Sequence, residues 1–526
     1  MSQTYTSRGT ETHKGLALLV LGISQLMIIL DATIVNVALN HIAIDFGVFD
    51  ETGAVDFAQI QWIVTGYALT FGGVLLLGGK LADRLGRRRI FMAGLVLFGF
   101  ASLLGGFANS LGVLIAARAL QGIGGAMLAP AALSLLTVVF EEGKERDRAF
   151  GVWAGISAGG AAIGLILGGL LTEKLDDVLV LGGNPVEGWR WVFFVNVPIA
   201  LFALWGTLRF VPESKDENAK GFDVIGAVLI TAGLAALVYG LANANDPLVA
   251  TGTKIAFIGG AAVLIAAFFV WEGVIKQPLL PLRLFKFRNL TGSNIGGLFV
   301  GAGLFSSFLY LVFWMQQING WEPLKSGFAF LPFTVGIIIG AAFSSVMIGR
   351  LGPRPLVTIG PFIAGTGMLM LGLFLEPDSS YLGLVLPAQL VISIGMGVTF
   401  PALVSGAVSG VPQENAGIAS ALLNAAQQVG GAVGVALLTA ISIGRTNSLL
   451  TANPPVPTPE MMAAAAAAPD PAAATALAMQ QAAFPAIVDG WGAALTVGAV
   501  LIYLAGIIMG SIVRAKPGAM PKMAMA

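Results

Sequence analysis

The chain has 526 residues, of which 56% are hydrophobic and 11% charged, with 28 basic and 28 acidic side chains. Soluble domains carry about 25% charged residues, so this composition excludes a soluble globular fold, and the zero net charge excludes a basic surface built for nucleic acid. The absence of cysteine rules out disulfides, thiolate metal sites and cysteine nucleophiles, and two histidines, His13 and His41, are too few for a multi-histidine metal centre.

In chain order, residues 1–15 are polar and read as a cytoplasmic tail. The apolar run that begins at Leu16 is too long for a cleavable signal and reads as a retained first span. A helix needs about 20 apolar residues to cross the hydrocarbon core. Segments of that length lie near 16–39, 59–78, 90–108, 111–139, 149–172 and 189–210, then 221–242 and 254–274. Six more follow near 290–318, 324–348, 354–376, 381–405, 416–440 and 487–513, making fourteen spans. With the N-terminus inside, 22 of the 28 Lys and Arg residues fall in cytoplasmic segments and five outside, and Arg118 is left within the membrane. That asymmetry predicts cytoplasmic placement of both termini. The last outside loop, about 445–486, is rich in alanine and proline. Thr458 before Pro459 and Asp470 before Pro471 each read as an N-cap followed by proline, which predicts one or two short surface helices.

A weak repeat organises the chain. GGKLADRLGRRR, Gly78 to Arg89, and IGRLGPRPL, Ile348 to Leu356, each place glycine, a base and leucine at a cytoplasmic turn early in a six-helix set. The expected fold is an all-α membrane protein of two six-helix bundles and two inserted spans. The predicted divisions are a tail at 1–15, an N-terminal bundle at 16–210, the inserted pair at 211–276, a C-terminal bundle at 277–513 and a cytoplasmic tail at 514–526. Paired six-helix halves with a site near the midplane are a transporter architecture.

Five motifs carry a family likeness. GGKLADRLGRRR resembles the loop 2–3 signature of the major facilitator superfamily. LDATIVNVAL at 30–39, RALQGIGGA at 118–126, WRWVFFVNVP at 189–198 and GIASALLNAAQQVGGAVG at 417–434 are similar to signatures of its fourteen-span drug:proton antiporters. Asn40 and Leu165 stand where the helix-1 and helix-5 signatures usually carry proline. The resemblance implies a multidrug efflux transporter of the major facilitator fold. It implies proton-coupled antiport by alternating access, a small-molecule amphiphilic substrate, no cofactor beyond the proton gradient, and no enzymatic activity. Export or flipping of one endogenous metabolite or lipid is the alternative, with uptake symport behind it. A non-transporting sensor or scaffold has no need of an acid within the membrane.

Asp31 lies about halfway along helix 1 with no other acid in its segment. A charge there costs roughly 2.5–3.5 kcal/mol on insertion scales, so it is expected to face a cavity or a partner and to exchange protons. A fixed structural carboxylate is the other reading. Arg118 never deprotonates in ordinary conditions and cannot shuttle a proton itself. It is expected to pair with Asp31 for proton coupling or to serve as a hydrogen-bond hub. In loop 2–3, Gly79 is expected to allow close helix contact, and Asp83 to sit against a helix N-terminus or Arg84, Arg87 and Arg88 around Gly86, biasing the conformational states. The plain alternative is that these bases only set topology. Helix 5 presents the glycines Gly155, Gly159, Gly160, Gly164, Gly168 and Gly169, and helix 13 has Gly430, Gly431 and Gly434, all expected to pack closely.

The predicted substrate cavity comprises Asn36, Trp62, Tyr67, Gln121, Asn294, Tyr310, Phe313, Trp314, Gln317, Asn424 and Gln427, with Ser306, Tyr310, Phe313 and Gln317 on one helical stripe. One membrane carboxylate offsets one positive charge, so neutral or monocationic substrates are expected. No GxxxxGK[ST] loop is present, which argues against direct use of ATP. The chain is expected to act as a monomer among lipids in a bacterial inner membrane, with no nucleic-acid partner and no metal.

Overall fold

The computed structural model describes residues 11–49, 55–140, 143–175, 180–181, 184–215, 223–246, 249–412, 416–468 and 471–515. Fourteen long helices account for most of them. The first six are α1 (Glu11–Asp45), α2 (Trp62–Leu85), α3 (Arg87–Gly106), α4 (Leu111–Val139), α5 (Lys144–Lys174) and α6 (Asn196–Phe210). An inserted pair follows, α7 (Val224–Ala242) and α8 (Thr251–Val274). The last six are α9 (Arg288–Phe313), α10 (Leu331–Leu351), α11 (Pro353–Phe374), α12 (Leu386–Val408), α13 (Ala416–Ala452) and α14 (Pro471–Ile512). Among the described residues, 13 helical spans are long and apolar enough to cross a membrane. The fourteenth, α5, has 31 residues, and part of its side chains lie outside the described set.

Lipid is as apolar as leucine, so small residues and close backbone approach hold such helices together. Gly78 of α2 lies so near Ala126 of α4 that an added Cβ would stand 2.2 Å from its carbonyl oxygen. The sequence points to Gly79 for this role, but a Cβ there would meet only Pro130, at an ordinary 3.5 Å, because the contact face falls one residue earlier. In the second half Gly430 and Gly434 of α13 press on Leu298 and Ala302 of α9, and Gly431 meets the Phe305 ring. Each six-helix set packs within itself, and α7 of the inserted pair lies against both α2 and α13.

The repeat is visible as matched turns. Arg84-Leu85-Gly86 ends α2 and Arg350-Leu351-Gly352 ends α10, and in both the glycine takes a positive φ, +115° and +75°. No other residue type adopts that backbone freely. Both turns let the next helix start at once, so each half reverses its direction at the same place.

The long loop near 445–486 differs in part from expectation. Thr458 caps a helix over Pro459–Ala466 by accepting from the Met461 N–H at 3.2 Å. A second separate helix does not form, because α14 begins at Pro471 and runs unbroken through Pro485 into the last span. Asp470 lies outside the described residues.

Candidate functional site

Asp31 is fully buried, and its carboxylate is held by three donors. The Arg118 Nη1–H donates to Oδ2 at 2.5 Å, while Gln121 Nε2 and Asn196 Nδ2 donate to Oδ1 at 2.9 Å each. Arg118 also donates from Nε to the Ile63 carbonyl at 3.0 Å and from Nη1 to Gln121 Oε1 at 2.9 Å, and its guanidinium lies 4.5 Å from the Tyr67 ring centre. Gln121 Nε2 reaches Ser102 Oγ at 2.5 Å. The network therefore ties α1 to α2, α3, α4 and α6 around one ion pair. A buried pair needs such additional hydrogen bonds to offset its desolvation. Tyr67 and Gln121 belong to this hub rather than to an open cavity. Asn196 and Ser102 escape sequence reasoning. Asn196 had a signal, as a lone amide in the apolar run after Trp189.

In the loop 2–3 motif, Asp83 accepts from Arg87 Nε at 3.0 Å and Nη2 at 2.9 Å across the α2–α3 turn. Arg88 donates to the Leu208 carbonyl at 2.9 Å, and its backbone N–H donates to Glu213 at 3.1 Å. The motif is thus fastened to the end of α6 and the segment that follows.

Several predicted cavity residues lie elsewhere. Trp62 stands 6.5 Å from the Tyr239 ring of α7 and packs against the apolar cluster that includes Leu234 and Val238, so it faces the inserted pair. Tyr310 and Phe313 are buried against Phe57 from the first half, at 6.3 and 4.5 Å between ring centres, and Trp491 stacks on Tyr310 at 6.1 Å. Trp314 is locked by donating to the Glu376 carbonyl at 2.9 Å. These aromatics close one end of the two halves together. Gln316, unremarked in the sequence, completes the seal by donating to the Val37 carbonyl at 3.0 Å. A π-helical turn over Trp314–Ile318 displaces the register there, so the regular stripe ending at Gln317 misses this contact. Gln317 itself is half-buried.

Of the remaining candidates, Asn294 is buried and donates to its own helix, as does the half-buried Asn36. Asn424 is exposed and Gln427 half-buried on α13.

The helix-5 glycines divide into two groups. A Cβ at Gly160, Gly164 or Gly168 would collide with Leu26, Thr33 or Ile34 of α1, and one at Gly169 with Leu324 of the second half. The segment that carries Leu324 also places Gly327 against the Leu165 carbonyl, a further contact between halves. Gly155 and Gly159 depart from the packing expectation. Among the described residues nothing lies within 4 Å of a Cβ at either, although α1 packs beside them, with Gly22 against Ile156.

The sequence pattern of the Major Facilitator Superfamily matches residues 21–435. The chain is 41% identical to the puromycin resistance protein pur8 of Streptomyces alboniger, over 84% of each chain. It is 35% identical to the cephamycin export protein CmcT of Amycolatopsis lactamdurans, over 83% of this chain and 87% of that one. Among solved structures, a bacterial homologue of the human lysosomal transporter Spinster, inward-facing and occupied, superposes with a TM-score of 0.65 at 17% identity, covering 95% of this chain and 97% of its own.

Proposed function

The chain belongs to the major facilitator superfamily, and on that premise we propose that it is a proton-driven exporter of small amphiphilic compounds, neutral or singly cationic, working by alternating access. Its relatives named for puromycin resistance and cephamycin export support efflux of antibiotic-like molecules. The observation that carries the coupling step is the Asp31 hub, where one buried carboxylate joins α1 to α4 and α6 through charged and neutral donors.

The chemistry follows from the partners. An ionised Asp31 holds Arg118 and Asn196 and fixes the first half in one arrangement. A proton on Asp31 removes the charge that Arg118 pairs with, and a protonated carboxyl offers one O–H donor in place of full acceptor capacity. Those contacts then rearrange, and α1 is released relative to α4 and α6. The extracytoplasmic seal of Phe57, Tyr310, Phe313 and Gln316 is the element such a release would open. The open face of α5 at Gly155 and Gly159 provides approach from the cytoplasmic side. The proton gradient, rather than a cofactor, drives the cycle, and the potential contributes about 2.3 kcal/mol per charge per 100 mV. In this reading the protein works as a monomer in the bacterial inner membrane with both termini cytoplasmic.

The test is substrate-dependent proton flux through the full-length protein in liposomes that enclose a pH-sensitive dye, with a monocationic lipophilic dye as substrate. Opposite movement of dye and protons is expected. Movement in the same direction, or no substrate-dependent flux from folded protein, overturns the reading.

A further inference from the structure

The inserted pair carries two acids that transport through the Asp31 hub does not use. Asp223 caps α7, accepting at Oδ1 from the Gly226 N–H at 2.8 Å and from the Trp271 indole at 2.9 Å. Glu272, one turn from the end of α8, accepts at Oε2 from the Leu280 N–H at 2.9 Å. Both residues are buried, at 2% and 3% exposure. The second oxygen of each, Asp223 Oδ2 and Glu272 Oε1, has no donor among the described residues. These two oxygens converge on one point. They lie 2.2 and 2.7 Å from the position a Cβ on Gly226 would take, so the two carboxyl groups lie close together. Glycine at 226 is what leaves room for the meeting.

Two carboxylates at such separation in a water-poor site repel strongly, and a single proton between them removes the conflict. The nearby cation is Lys80 of α2, whose Nζ donates to the Pro278 carbonyl beside the pair. Neither α7 nor the adjoining end of α13 brings another charged side chain, Lys276, Arg283 and Lys286 of the segment after α8 are exposed, and at the end of α2 Asp83 is engaged by Arg87. One shared proton leaves a net charge of minus one, which a single ammonium balances.

We propose that Asp223 and Glu272 form a second proton-binding site, holding one shared proton at the cytoplasmic end of the inserted pair. Its position links it to the moving parts. Leu77 of α2, Ala227, Phe268, Leu279, Leu280 and Leu422 of α13 form one apolar cluster beside the pair, so the insert touches both halves there. Loss of the shared proton would put two negative charges against one ammonium and loosen α8 from α7 and α2. Lys80 belongs to the same loop 2–3 motif that Asp83 and Arg87 occupy, so the two devices act on the same end of α2.

Infrared difference spectroscopy on the purified full-length protein tests this without transport. Wild-type protein titrated from acid to alkaline pH should show loss of a protonated-carboxyl C=O band. That band should be absent in Glu272→Gln and in Asp223→Asn and retained in Asp31→Asn, which separates this site from the Asp31 reading. Where Glu272→Gln fails to elute as folded protein, Glu272→Asp should keep the band with a shifted frequency or midpoint. A band unchanged in the variants of both residues, or lost only in Asp31→Asn, overturns the proposal.

Discussion

Arg118 and Asp31 are mutually dependent, and a double-mutant cycle reads that dependence. Breaking a buried ion pair by removing one partner costs about 3–5 kcal/mol, because the other charge is left uncompensated. The geometry places each variant within that range. In Asp31→Asn the Arg118 guanidinium keeps the Ile63 carbonyl, Gln121 Oε1 and the Tyr67 ring face, so about 3 kcal/mol is expected. In Arg118→Gln the carboxylate keeps Gln121 and Asn196, two neutral donors for a full charge, and a similar loss follows. Removing both charges leaves a neutral network with no orphaned ion. The double variant should therefore be more stable than the sum of the singles by about 2 kcal/mol. Thermal unfolding midpoints of the four proteins in one detergent supply the cycle. Strictly additive midpoint shifts would refute an electrostatic partnership and reduce Arg118 to a hydrogen-bond hub.

The helix-5 glycines should separate cleanly. Gly164→Ala places a Cβ 2.0 Å from Thr33 Oγ1 and should lower the unfolding midpoint, whereas Gly155→Ala and Gly159→Ala meet open space and should gain up to about 1 kcal/mol of helix propensity. Asp83→Asn removes a partly exposed pair with Arg87, so stability should change by about 1 kcal/mol or less while the initial transport rate falls; an unaltered rate would leave these residues a topological role only. Gln316→Ala cuts a hydrogen bond between the halves, and spin labels at cysteines introduced on either side of the extracytoplasmic seal should report a larger share of open molecules than in the parent. The cysteine-free chain needs no prior substitution for that experiment.

The spans were legible because long apolar runs, with basic residues concentrated in alternate turns, leave little freedom in the membrane. The Thr458–Pro459 cap was legible because its signal is local. Contacts set by register or by chain-distant partners were not. The π turn at Trp314–Ile318 breaks the regular period on which the Gln317 stripe relied, and it hands the cross-half bond to Gln316. Trp62 looked like a cavity residue because nothing in its own helix says that α7 covers that face. Asp31 and Arg118 stood out as rare membrane charges, but Asn196 and Ser102 join them only through the packing of α6 and α3. Asp223 and Glu272 drew no notice in the sequence, and only the α7–α8 pairing with Gly226 between them brings their oxygens together.

The central claim is that Asp31 carries the proton that exchanges for substrate. Full-length wild type and Asp31→Asn should be reconstituted at equal density, with folded protein verified in each, and proton release from the liposomes followed on addition of the lipophilic cation. The account predicts substrate-dependent proton movement in the wild type and none in Asp31→Asn. Coupled movement at the wild-type rate in the variant would contradict it and leave Asp31 a structural carboxylate.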